Sequence, residues 1–260
     1  MTTDSPTDVD QERLPGRRVL GVEVLIVLGI SLGQSAVYAI VRLLDLLSRG
    51  PLRDATATLN PTRSERPWFD LTYQLMGIGF ALVPVALALY LLWRDEPRLV
   101  RRMGLTTASP VRAVAEGCAL AAVIGLPGIA FYLVGRELGV TAEILTVPAN
   151  VYWWTTVVLV LAAVQNALLE EVVMVGYLFT RLTQMGWGRW QVVVASAALR
   201  GSYHLYQGIG QGVGNFLMGL IFGWWYLRTG RVLPLVIAHT VLDVFAFVGM
   251  LYLGEQLGLR

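Results

Sequence analysis

Two adjacent acids, Glu170 and Glu171, lie in an otherwise apolar run, Leu168-Leu169-Glu170-Glu171-Val172-Val173-Met174-Val175-Gly176. The run begins near Val157 and reads as a bilayer-spanning helix. A charged side chain near a bilayer centre costs roughly 2.5–3.5 kcal/mol on insertion scales, so intramembrane acids face a protein interior or a wet cavity. The chain must therefore fold so that other helices enclose the pair. The pair then glues helices, sits in the headgroup layer, or carries chemistry.

The composition supports a membrane setting. Of 260 residues, 55% are hydrophobic and 15% charged, with a mean hydropathy of +0.60, more apolar sequence than a soluble core of this size needs. This predicts an all-α fold, a polytopic transmembrane helix bundle, and membrane lipid as a partner. The net charge of +2 gives no reason to expect a nucleic-acid partner. A single cysteine, Cys118, excludes an internal disulfide or a Cys-based zinc cluster and is expected to pack. Oligomeric state is not legible.

About seven spans are predicted, at Val19–Val41, Phe69–Trp93, Ala113–Val134, Trp153–Leu182, Trp190–Tyr206, Gly212–Tyr226 and Leu233–Leu253. The first continues to Leu47, with room for a bend. It is too long for a cleavable signal peptide. The chain divides into a disordered tail over 1–18, N-terminal spans and loops over 19–150, and a C-terminal transmembrane region over 151–255. Twelve arginines fall on the side of the N-terminus and seven on the other, which favours a cytoplasmic N-terminus. All eight tryptophans lie where spans end, as an aromatic belt does.

Further ionisable groups lie in the fifth and seventh spans. Arg200 and His204 are four apart, as are His239 and Asp243, and four residues is one helical face. Asp243 is close enough in sequence to accept a ring N–H from His239 and fix its tautomer. His204 and His239 are the only histidines in the chain. Acids in the first three spans (Glu23, Asp45, Asp70, Glu116) stay near span ends, so buried charge is segregated in the C-terminal half. There is no His-Glu-x-x-His and no phosphate loop. Ser196 and Ser202 are better explained as helix contacts than as nucleophiles. Gly219 and Gly223 form a Gly-x-x-x-Gly element that suits packing within the bundle or dimerisation.

These residues resemble the CPBP intramembrane proteases, the family of the type II CAAX prenyl endopeptidase and of bacterial bacteriocin self-immunity proteins. Its pattern is Glu-Glu-x-x-x-Arg on one span, Phe-x-x-x-His on the next and His-x-x-x-Asn on a later one. Glu170, Glu171, His204 and His239 match in order; the resemblance covers about Val157 to Val248. Val175 stands in place of the arginine, Arg200 in place of the phenylalanine and Asp243 in place of the asparagine. The first two departures suggest that the guanidinium has moved from the fourth span to the fifth while still reaching the acids. An ionised Asp243 cannot donate to an oxyanion as asparagine can, so it must be protonated, orient His239, or bind metal.

The resemblance implies an intramembrane endopeptidase of the bacterial plasma membrane, acting by an activated water on a membrane-associated peptide or protein, with CAAX-type substrates suggested by the family name. Its implied site is Glu170, Glu171, Arg200, His204, His239 and Asp243. His204 and His239 are then candidate ligands for Zn2+, no other cofactor being expected. The competing reading is a non-catalytic scaffold or immunity protein that keeps the protease fold. A small proton-relaying transporter is a third reading, disfavoured because no internal repeat is visible. One geometric condition follows. At 1.5 Å per residue, His239 lies about 9 Å and His204 about 21 Å from span starts on the same side. The fifth span is therefore expected to begin later than Trp190, after an interfacial turn around Trp187–Val193.

Overall fold

The computed structural model describes residues 15–146, 152–249 and 252. The first fourteen residues of the expected 1–18 tail, and residues 250, 251 and 253 of the last expected span, lie outside the described residues; Arg17 and Arg18, expected in the tail, instead open the first helix. The chain is mostly helical, as predicted, with one addition, a two-stranded sheet. Helices α1 (Arg17–Gly29) and α2 (Leu32–Arg49) are bent by 56° at a short break. Within the break, Ser31 Oγ donates 2.5 Å to the Val27 carbonyl, an i−4 bond of the kind that bends helices. Helices α3 (Pro67–Ala81) and α4 (Val83–Asp95) form one span, followed by the short α5 (Pro97–Arg102) and the long α6 (Pro110–Glu137). Proline opens α3, α5 and α6, where its missing N–H would be unpaired anyway.

The fourth predicted span is a continuous 30-residue helical run: α7 (Thr155–Glu170), a π-helical stretch Glu171–Tyr177, and α8 (Leu178–Gln184). Of its most apolar window 61% is buried, against 22% for the α3–α4 span and 17% for α6. This run is the central post; α3, α4 and α6 turn apolar faces outward, where Cys118, expected to pack, is exposed. Around the post stand α9 (Arg189–Tyr203), α10 (Ile209–Thr229) and α11 (Leu233–Val244), the last continued by a π turn over Phe245–Gly249.

Among the described residues, three helices are long and apolar enough to cross a membrane, or up to four if the α1–α2 pair is one span. The expected seven exceeds that count because α9 has 15 residues and an arginine in its interior, α10 carries Gln211 and Asn215, and the α11 run is short. These helices spend polar residues on the interior of the bundle rather than on length and apolarity.

Connections alternate between two ends. At one end the turns after α2, α6 and α9 meet: β1 (Thr56–Leu59) pairs in parallel with β2 (Glu143–Thr146), and the Ala142 N–H bonds to the Gln207 carbonyl at 3.0 Å. Gly208 passes this crossing with φ +105°, its Cα against the Val140 carbonyl, where any side chain would clash. At the other end, the backbone N–H groups of Val232 and Leu233 bond to the Met103 and Gly104 carbonyls at 2.8 and 3.1 Å.

That second crossing resolves the depth condition differently from the sequence expectation. The fifth helix does not begin late, since α9 starts at Arg189. It is α11 that starts inside the bundle, with Val232, Pro234 and Leu235 buried and clasped by the α5–α6 turn. Gly219 and Gly223 of α10 lie against Ala197 and Val193 of α9, so the Gly-x-x-x-Gly element is used inside the bundle.

One apolar core runs through both halves, from Val24 and Leu92 to Val173, Phe222 and Leu235. Beside it lies an ionic knot that the arginine count missed. Arg181, read as a charge flanking a span, is completely buried, 2.7 Å from Glu23 and 2.8 Å from Asp95. Tyr177 donates to the same Glu23 oxygen at 2.8 Å. The knot ties α1, α4 and the central post together. Removing one partner of a buried pair strands the other charge and costs about 3–5 kcal/mol. Arg181→Ala is accordingly expected to lower the thermal midpoint in detergent sharply, whereas Arg42→Ala, which breaks an exposed pair with Asp45, is expected to leave it within about a degree.

Candidate active site

The π-helical stretch begins at the second acid. A π turn inserts an extra residue into a helical turn and is frequent at functional sites; all seven of its residues here are buried. Glu170 ends the α7 face that also carries Asn166, one turn earlier, while Glu171 opens the wider turn. The two carboxylates thereby acquire different surroundings.

Glu171, wholly buried, is held from two sides. Arg200 Nη2 of α9 donates to its Oε1 at 2.6 Å, and His239 Nδ1 of α11 lies 2.7 Å from the same oxygen. Glu170 faces a cavity. Tyr203 donates its hydroxyl to Glu170 Oε2 at 2.7 Å, with Arg200 Nη1 3.4 Å from that oxygen. His204 Nε2 is 4.0 Å from Glu170 Oε1, and His239 Nε2 is 4.0 Å from Oε2. Each oxygen of Glu170 therefore confronts one imidazole across a gap too long for a direct hydrogen bond.

His204 caps the C-terminus of α9, and both of its ring nitrogens are buried with no partner among the described residues. For His239, the carboxylate bonded at Nδ1 is Glu171; Asp243, expected to fix the tautomer, lies 3.6 Å from Nε2. Asp243 Oδ2 instead accepts from Asn166 Nδ2 at 3.3 Å. Arg200, His204 and His239 thus lie within 4.0 Å of Glu170 or Glu171, while Asp243 joins the group through His239 and Asn166. The candidate serines stand apart: Ser196 and Ser202 spend their hydroxyls on the Met174 and Leu199 carbonyls.

Val175, where the motif has arginine, is buried in the apolar core. Gly176 lets Met103 approach so closely that a Cβ would collide with its methyl group. Sequence reasoning passed over Tyr203 and Asn166. Both carried a signal, since Tyr203 is three residues from Arg200 and Asn166 four from Glu170, the helical spacings of neighbours on one face.

The cavity measures ≈ 630 Å³. Glu170, His204, His239, Asp243, Asn166 and Asn215 give it a polar wall; Ile124, Pro127 and Phe131 of α6, with Leu242 and Phe247, give it an apolar one. Thr58, Leu59, Asn60 and Ile144 of the small sheet and its turn also line it.

As a metal site, the donor set fits a divalent cation. Glu170, Glu171 and His239 offer ligand atoms within 4.8 Å of one another; Glu171 Oε1 is spent on Arg200 and His239 Nδ1, while its Oε2 is buried without a partner among the described residues. Two carboxylates and an imidazole are oxygen and nitrogen donors of the kind Zn2+ takes; His204, the other expected ligand, lies outside this cluster. Glu171 at Nδ1 is then the carboxylate that orients a ligating ring.

The helix bundle thus sets a buried Glu/His constellation on the wall of a cavity. Residues 152–245 match the profile of the family described as type II CAAX prenyl endopeptidase Rce1-like. Over that stretch the resemblance read from the three motifs holds, and the stretch contains all six predicted site residues. No curated protein and no solved structure matches the chain.

Proposed function

We propose that this protein is an intramembrane endopeptidase that hydrolyses a peptide bond with a water activated by Glu170. The observation that carries this reading is the pair of 4.0 Å gaps between the Glu170 oxygens and two imidazoles on a cavity wall. An oxygen about 2.8 Å from both ends of such a gap makes two ordinary hydrogen bonds. Glu170 takes the proton of a water held there, and the resulting hydroxide attacks the scissile carbonyl. The imidazole of His204, which lines the cavity, relays that proton from Glu170 to the departing amine. His239, held at Nδ1 by Glu171, turns Nε2 toward the oxyanion. Arg200 and Tyr203 position the two glutamates from behind.

Where a divalent cation such as Zn2+ is bound, Glu170, Glu171 and His239 would hold it, and it would polarise the carbonyl and lower the water's pKa. The substrate class we propose is a membrane-associated peptide or protein, CAAX-type by family. The setting is a seven-span bundle in a bacterial plasma membrane, N-terminus cytoplasmic. A scaffold or immunity role is the second reading, favoured by Val175 and Arg200 standing where the motif has arginine and phenylalanine.

The test is cleavage of eight-residue fluorogenic peptides, prenylated and plain, by protein purified in detergent, with metal analysis of the same sample. Cleavage by the wild type, lost in Glu170→Ala and His204→Ala, is the expected result. A stoichiometric metal absent from His239→Ala assigns the cation. A wild type that folds and cleaves nothing overturns the enzymatic reading.

A further inference from the structure

The small parallel sheet is out of place in a helix bundle, and two strands of four residues are scarcely stable alone. Its register shows which of its edges is open. Thr56 pairs with Glu143 and Thr58 with Leu145, and the Glu143 N–H bonds to the Ala55 carbonyl at 2.9 Å. In a parallel ladder the residues of one strand alternate, one turning its N–H and C=O to the neighbour and the next turning them away. Ala55, Ala57 and Leu59 therefore bond β2, and Thr56 and Thr58 present their backbone groups outward. The alternation on β2 agrees, because the outward N–H of Ile144 bonds to the Tyr132 hydroxyl at 3.3 Å. On the outer edge of β2 the Ile144 N–H is thus taken by Tyr132 of α6; the outward groups of Thr56 and Thr58 have no backbone partner among the described residues.

Two further observations point the open edge at a ligand. Thr58, Leu59 and Asn60 line the same cavity as Glu170, His204 and His239. Asn60, the residue that ends the strand, holds a left-handed backbone (φ 49°), rare without glycine, and its buried Nδ2 has no partner. An amide donor and a row of outward backbone groups beside a hydrolytic wall are what an extended peptide can pair with. A helical substrate cannot use them, since its own backbone groups are already bonded.

We propose that the outer edge of β1, with the Asn60 amide, takes an extended segment of the substrate as an added third strand and so feeds the scissile bond to Glu170. This deepens the endopeptidase reading and rests on it for the chemistry, but the docking step is separable. Main-chain pairing supplies affinity without reading side chains, so selection along this segment is for extended conformation.

The experiment measures binding and turnover separately. A labelled octapeptide, the tightest-binding member of the library above, is titrated by fluorescence anisotropy into Glu170→Gln protein, as the parent and as single backbone N-methyl derivatives. Cleavage is measured with wild type and with Thr58→Pro, which removes one outward N–H and leaves the β1–β2 bonds intact. One alternate register of N-methyl positions is expected to weaken binding about 3–10-fold, from the loss of one hydrogen bond, while the other register changes nothing. Thr58→Pro is expected to raise KM by a similar factor with kcat little changed. Equal binding of every N-methyl derivative, or an unchanged KM in a folded Thr58→Pro protein, overturns the proposal. Register-dependent binding without any cleavage by wild type keeps the docking edge and removes the endopeptidase reading.

Discussion

Glu170→Gln is expected to reduce kcat/KM for peptide cleavage by about 10²–10⁴-fold, the usual contribution of a positioned general base, with little change in thermal midpoint. The asymmetry of the two acids is the reason. Glu170 opens on the cavity and receives one full hydrogen bond, from Tyr203, which a glutamine carbonyl can still accept. What glutamine lacks is the capacity to take a proton from water. The measurement is initial rates beside a melting curve on the same preparation. A rate loss under about tenfold would show that the water is activated elsewhere, and a collapse of the fold would show that Glu170 is structural.

The helices were legible because their apolar runs are long: the post, α6 and the α3–α4 span fall within a few residues of their sequence boundaries. The sheet was not. Thr56–Leu59 is too short to display an alternating pattern, and its strand geometry exists only because Glu143–Thr146, far along the chain, lies beside it. The Arg181 knot escaped for a related reason. One turn from a helix end, an arginine reads as an interfacial charge. That Glu23 and Asp95 would close over it depends on how α1 and α4 lean on the post, and no local pattern encodes that.

At the site, sequence gave the cast but not the pairings. The i,i+4 rule coupled Asp243 to His239, and in the fold the shorter bond goes to Glu171, because α11 brings Nδ1 against the π turn. The same rule placed Arg200 and His204 on one stripe. The helix ends at His204, so the two side chains part: Arg200 goes inward to the acids and His204 to the cavity. A helix terminus breaks a periodic argument at the position where that argument is being used.

Arg200→Ala is expected to be the most damaging single change. Its guanidinium, 1% exposed, is among the described residues the one arginine within reach of both acids, at 2.6 Å from Glu171 and 3.4 Å from Glu170. Losing it leaves two adjacent buried carboxylates without their shared cation, a destabilisation of about 3–5 kcal/mol, and frees Glu171 to pull His239 out of line. Activity is expected to fall as far as in Glu170→Ala. Lysine is expected to rescue only in part, since one ammonium cannot reproduce the planar fork. The double variant Arg200→Ala with Glu171→Ala separates stability from function. It removes the stranded charge, so much of the lost thermal midpoint should return, but with nothing left at His239 Nδ1 the ring loses its orientation and cleavage should stay low. Full activity in a folded Arg200→Ala protein would mean that the guanidinium on α9 is not the partner of the acids on the post, and the idea that it moved there from position 175 would fall with it.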